Sequence, residues 1–233
     1  PHTVAIGTGK YIGDCRLTHY AALLRKALDD AGYGYVPIIT NDDKDAHNMH
    51  PGFKMSLGSA IRVAFGLPMI DALEDLLRKM RPYELEPGSA EKAFDQAIEC
   101  VTTGIRERGV RGAVNGFKQA IAIMGTVRYN RSNPRPQVLI VGEYLLNFHP
   151  GANHDIEDYL ESNGLEIIEA RMTDVIRKTY FYQDAQAREF HVSQPLATKA
   201  FNRVANRLFE TAHNVCDGIA KAHPLYEPAC RMP

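Results

Sequence analysis

Apolar residues fall into two patterns along the chain. Short apolar runs (Val4-Ala5-Ile6, Val36-Pro37-Ile38-Ile39, Val138-Leu139-Ile140-Val141 and Leu165-Glu166-Ile167-Ile168) have the length and composition of strands. Longer stretches repeat apolar residues at three- and four-residue steps, as Leu17, Ala21, Leu24 and Leu28 do, and predict helices with one buried stripe.

Taken in order, the first segment reads strand, loop, helix, strand. The strand at Thr3–Gly7 leads into a glycine-rich loop. Asp14 is placed to cap the helix that follows, Gly32 and Gly34 stop it, and Val36–Ile39 continues as a strand. Residues 41–52 read as a polar loop. From Ser56 to Met80 the pattern is helical, with Pro68 predicting a break or kink between two helices. Two further helices are expected, from Ala90 to about Glu107 and from about Val114 to Tyr129.

The run Asn133-Pro134-Arg135-Pro136 is the clearest boundary in the chain. The strand after it, Val138–Val141, is continuously apolar, which predicts cover on both faces. A helix beginning at Asn153 or Asp155 and closing at Asn163-Gly164 then leads to the strand at Leu165–Ile168. That spacing suits a right-handed parallel crossover. Arg171–Phe190 and Thr198–Ala222 read as helices. The fold class is therefore α/β: parallel-sheet portions at 1–53 and 133–233, joined by a helical segment at 54–132.

Charge and composition narrow the function. The formal net charge is -1 with no long basic block, which argues against a nucleic-acid binder. Apolar stretches are broken before the length of a membrane span, and no signal peptide precedes the first strand, so a cytoplasmic location is expected. The absence of an initiator Met, and the stop after a Pro-rich stretch, suggest a piece of a longer protein. The four cysteines (Cys15, Cys100, Cys216 and Cys230) are widely spaced without a CxxC pair. That spacing excludes a zinc finger or ribbon and disfavours a disulfide framework.

Candidate chemistry concentrates at two places. Cys15 lies at the start of the first helix beside Arg16, where unpaired N–H groups and positive charge stabilise a thiolate. A plain buried cysteine is an equal alternative. The loop 142–154 leaves the carboxyl end of the 138–141 strand, where open parallel sheets collect their ligands. Glu143 there is a possible acid, base or acceptor, Asn147 and Asn153 offer amides, and Asn153 is alternatively only a helix cap. The glycines at 7, 9 and 13 fit neither phosphate-loop spacing. The acidic and histidine-bearing loop at 41–50 fits no metal-loop spacing and reads as solvated. Cys100 and Cys216 sit among apolar helical neighbours, as core cysteines do.

The stretch Pro136–Glu143, followed by Asn147, Pro150–Asn153 and Asn163-Gly164, resembles the 2-hydroxyacyl-CoA dehydratase activase-related proteins, relatives of the 2-hydroxyglutaryl-CoA dehydratase components. Gly13–Tyr20 ahead of Val36-Pro37-Ile38 is similar to that family's cysteine-plus-arginine loop. The resemblance implies two flavodoxin-like or Rossmann-like halves holding a [4Fe-4S] cluster, with Cys15 as a ligand. The family loop commonly carries a second cysteine where this chain has Ile12, so the ligand set here is incomplete. The family's ATP-binding phosphate motifs have no counterpart in this chain.

The same resemblance implies an internal portion of an iron–sulfur electron-transfer component. Its expected partners are other segments of a longer chain or another α/β subunit, and an acyl-CoA dehydratase or ATP-dependent activator, with neither nucleic acid nor membrane. The alternative is a non-catalytic α/β ligand-binding or scaffold domain.

Overall fold

The computed structural model describes residues 4–9, 17–40, 48–52, 56–174, 187–191 and 193–228. Cys15, Cys230, the loop at 10–16, most of the acidic loop (41–47) and the middle of the expected 171–190 helix lie outside the described residues. The chain divides into two compact units, Pro1–Ser59 and Ala60–Pro233.

In the first unit, β1 (Ile6–Gly7), β2 (Ile38–Thr40) and β3 (Met49–Pro51) form a parallel sheet with β2 central. The helix α1 (Leu17–Asp30) ends at Gly32, whose φ of 80° is the left-handed geometry that glycine tolerates. The buried Arg25 fixes the turn into β2. Its guanidinium donates to the carbonyls of Val36 (2.6 Å) and Tyr33 (3.3 Å) and pairs with Asp29. The expected loop at 41–52 is corrected at its end, where β3 adds a strand. The Ile38 N–H donates to the Asn48 carbonyl, and the Gly52 N–H to that of Thr40. A Cβ on Gly52 would stand 2.2 Å from Ile39 Cγ2, so only glycine lets the chain pass this close.

The second unit is built around helices. Of the break or kink predicted at Pro68, the break does not occur: α2 runs as one helix from Leu57 to Met80 with Pro68 inside it. Proline removes one N–H and crowds the preceding turn. Here Ala64, Met69, Ala72, Leu73 and Leu76 hold the helix on both sides of it in the core.

The next two predicted helices are present as α3 (Ser89–Met124), a hairpin turning at Gly109, whose φ of 61° and ψ of -143° are non-helical. Its arms meet backbone to backbone. A Cβ on Gly104 would fall 2.3 Å from the Gly112 carbonyl oxygen, and one on Gly116 would fall 2.2 Å from that of Cys100. Phe117, Val101 and Met124 from α3 pack with Leu73, Leu76 and Met80 of α2 and with Cys216 and Ala220 of α7 (Leu196–Ala220). The expected boundary at Asn133 lies inside this unit, because residues on both sides of it share that core.

After the boundary, β4 (Gln137–Ile140) pairs in parallel with β5 (Glu166–Glu169), with Leu139 opposite Ile168. Cover on both faces of β4 is corrected. Its residues alternate between exposed and half-buried, and Leu139 is 58% exposed. The period-two alternation of a strand places Leu139 and its partner Ile168 on the uncovered face. Among the described residues, no helix is long and apolar enough to cross a membrane.

Candidate functional site

Between β4 and β5 the chain makes three short helices: α4 (Tyr144–Phe148), α5 (Pro150–Asn153) and α6 (Ile156–Ser162). Their sequences explain the breaks. Pro150 opens α5 at a position where its missing N–H costs nothing, and His154 and Asp155 take positive φ to reverse the chain into α6.

Glu143 is the cap of α4, its carboxylate accepting the Leu145 N–H at 2.9 Å, and it is exposed. Asn153 closes the turn. Its amide donates to the Leu146 carbonyl at 3.0 Å, and its side-chain oxygen accepts the Ile156 N–H at 3.4 Å. The structure brings Asn147 and Asn153 together in one shallow pocket of about 230 Å³ with Arg81, Glu157 and Asp158; Glu143 does not line it.

A second pocket of about 240 Å³ lies beside the first and shares Glu157 and Phe148 with it. Asp71, Glu74 and Arg78 of α2 line it, together with Glu169 at the carboxyl end of β5. Leu67, Ile70, Phe148 and Met172 supply apolar wall. This placement matches the general rule that parallel sheets bind at their carboxyl ends.

The polar groups form one ionic network. Arg78 donates to Glu157 (3.2 and 3.3 Å) and Glu74 (3.4 Å), and pairs with Glu169. Arg81 binds Glu161 in a two-point contact (2.6 and 2.8 Å) and also reaches Glu157 (3.1 Å). The two arginines thus tie α6 and β5 to the end of α2, with the fork geometry that suits carboxylates.

Within the network the carboxyls differ in state. The Glu169 side chain is 1% exposed and is held in an ion pair by Arg78. Burial first, with Glu157 and Glu74 adding to it, outweighs Arg78 and pushes the Glu169 carboxyl up to about 7. Burial also raises Glu157, yet Arg78 and Arg81 more than offset it and hold that group below its ordinary range. Asp71 is pushed up to about 6 by burial, although it accepts from Met172 N (3.1 Å), Thr173 N (2.9 Å) and the Thr173 hydroxyl.

Sequence reasoning missed this network. Its one signal was Glu166 and Glu169 standing inside an otherwise apolar strand, since a charged residue there needs a buried partner. Glu166 has such partners in full: Tyr83 (2.6 Å), Arg131 (2.7 Å) and Gln137 (3.1 Å).

The described cysteines do not suit an iron–sulfur cluster, which takes deprotonated thiols. Cys216 is buried, donates its Sγ–H to the Pro68 carbonyl at 3.2 Å, and is pushed up to about 12 by burial. Cys100 is half-buried within the α3 hairpin. Among the described residues no group of three or more His, Cys, Asp or Glu side chains is placed to hold a metal ion. No known protein family, curated protein or solved structure matches the chain.

Proposed function

We propose that this chain is an internal portion of an iron–sulfur electron-transfer component of the 2-hydroxyacyl-CoA dehydratase/activase type, with two flavodoxin-like halves. The observation that carries the reading is one of order. In sequence the cysteine-plus-arginine loop at Gly13–Tyr20 lies between β1 and β2 of one parallel pair, and the Pro136–Asn153 segment supplies β4, the first strand of the other, with the loop at its carboxyl end. Cys15 is the cluster ligand this chain contributes, and the remaining ligands come from other segments of a longer chain or from another α/β subunit. An acyl-CoA dehydratase or an ATP-dependent activator is the functional partner.

Iron and sulfide counts on the longer protein, reconstituted anaerobically as wild type and as Cys15→Ser, test this reading. Loss of iron in the variant is expected; equal iron in both removes Cys15 from the site.

A second reading is favoured by one specific observation. Two adjoining pockets of the larger unit are lined by carboxyls, arginines and apolar side chains, and neither contains a cysteine. On that reading the chain is a non-catalytic α/β ligand-binding or scaffold domain. A colourless, iron-free protein whose melting temperature rises with an acyl-CoA or a nucleotide supports it over the first.

A further inference from the structure

Charge is sorted along the α3 hairpin and the helix beside it. Within residues 60–70 and 100–124, Glu107 is the only carboxylate, while Arg62, Arg106, Arg108 and Arg111 supply guanidiniums. Carboxylates gather instead at the second half of α2, where Asp71 and Glu74 sit with Glu157 and Glu169.

Turn geometry draws the four arginines to one place. Gly109 reverses α3, with Arg106 and Arg108 just before the turn and Arg111 just after it. Arg62 arrives from α2: a Cβ on Gly109 would stand 3.7 Å from its Nε. All four residues are exposed. Elsewhere in this unit Arg78, Arg81, Arg131 and Arg171 each hold a carboxylate. Among the described residues, none of the four guanidiniums at the hairpin tip is engaged in a hydrogen bond or ion pair. Like charges gathered in this way repel one another, and an opposing acidic surface relieves that repulsion.

We propose that the hairpin tip docks an acidic face of a partner protein, whose carboxylates pair with Arg62, Arg106, Arg108 and Arg111. Three observations select that occupant. The tip is basic on a chain of formal net charge -1, so the attraction is local and lacks the general basic field of a nucleic-acid binder. The charges are guanidiniums, and the only lysine in the two stretches, Lys118, lies further along the second arm. Arginine is enriched and lysine depleted at protein interfaces, and the planar fork of arginine matches a carboxylate. Neither of the two pockets described above is lined by any of the four, so a broad protein face suits the tip better than a small anion that needs enclosure. Docking through charge raises the association rate and suits short-lived complexes of small interface area. The surface is independent of any cluster held through Cys15, and its test needs no iron.

Fluorescence anisotropy of labelled poly-L-glutamate, titrated with the intact chain, tests the proposal, with oligo-dT and phosphatidylserine vesicles as competitors. Saturable binding that weakens as sodium chloride is raised is expected. Arg106→Gln, Arg108→Gln and Arg111→Gln together should weaken it roughly tenfold. Arg62→Gln, a change on a different helix, should weaken it in the same direction. Lys199→Gln, Arg203→Gln and Arg207→Gln together remove the same charge from exposed positions of α7 and should leave binding nearly unchanged. No saturable binding by the wild type, or equal loss in the two triple variants, overturns the proposal. So does displacement by oligo-dT or by the vesicles at a lower charge concentration than unlabelled poly-L-glutamate requires, which assigns the tip to nucleic acid or to a membrane surface.

Discussion

The hydroxyl of Tyr83 donates to the Glu166 carboxylate at 2.6 Å, joining the turn after α2 to the first residue of β5 across 83 positions of sequence. The same hydroxyl accepts the Arg135 N–H at 2.8 Å, and the Arg131 guanidinium lies 4.4 Å from the Tyr83 ring centre. One side chain thus holds the start of the β4–β5 crossover against the helical core. Tyr83→Phe removes a buried hydrogen bond to a charged group and should lower stability by about 1–3 kcal/mol. Urea denaturation with an unchanged m-value is the check.

Glu169 makes stability depend on pH in a stated direction. Its carboxyl is raised from 4.5 unfolded to about 7 folded. A raised acid binds its proton more tightly when folded, so its penalty is fully present above the folded value and relieved as pH falls toward the unfolded one. The groups facing it are Asp71, Glu74 and Arg78 of α2 and Glu157 of α6. The stability of wild type relative to Glu169→Gln should therefore rise as pH is lowered from about 8 to about 5, by an amount on the order of 1–3 kcal/mol. A flat difference across that window refutes the assignment.

How much of this was readable beforehand depended on the range of the cause. The strands at 6–7, 38–40, 137–140 and 166–169 and the stripe of α1 follow from local pattern, and each forms about where the pattern places it. A break at Pro68 is not realised: its local cost is real, while the core that overrides it is assembled from residues tens of positions away. The exposure of Leu139 is equally illegible, since an apolar run does not state how many strands or helices will cover it. The Asn147–Asn153 pocket follows from strand-end reasoning. The Arg78–Glu169 pair does not, because those residues are 91 positions apart and meet only through the packing of α2 on β5.

Cysteine reactivity should report the burial of Cys216. Cys216 is 1% exposed and pushed up to about 12 by burial, with Asp217 adding to the effect, so it is protonated and enclosed at neutral pH. In native protein it should remain unmodified by a thiol-specific disulfide reagent, and react fully in urea. Peptide mapping of the labelled sites reads the difference. Prompt native labelling of Cys216 contradicts its placement.

Phe117 is fully buried at the centre of the helical core. Phe117→Ala should cost about 3–5 kcal/mol, the usual range for a large-to-small change in a packed interior. Leu139→Ser, on the exposed face of β4, should fall within roughly 0.5 kcal/mol of wild type. Paired thermal denaturation curves test both expectations.

Along the α3 hairpin, Gly104, Gly112 and Gly116 leave no room for a single additional carbon. Main chain there sets the distance between the arms, so the seam cannot be repaired by choosing a different side chain opposite. A compensating second-site change, the ordinary route by which packed interiors drift, is closed at these positions. Saturation mutagenesis selected on folding should return glycine almost alone at 104, 112 and 116. The solvent-facing positions of the same arms, such as Lys118 and Gln119, should accept most residues.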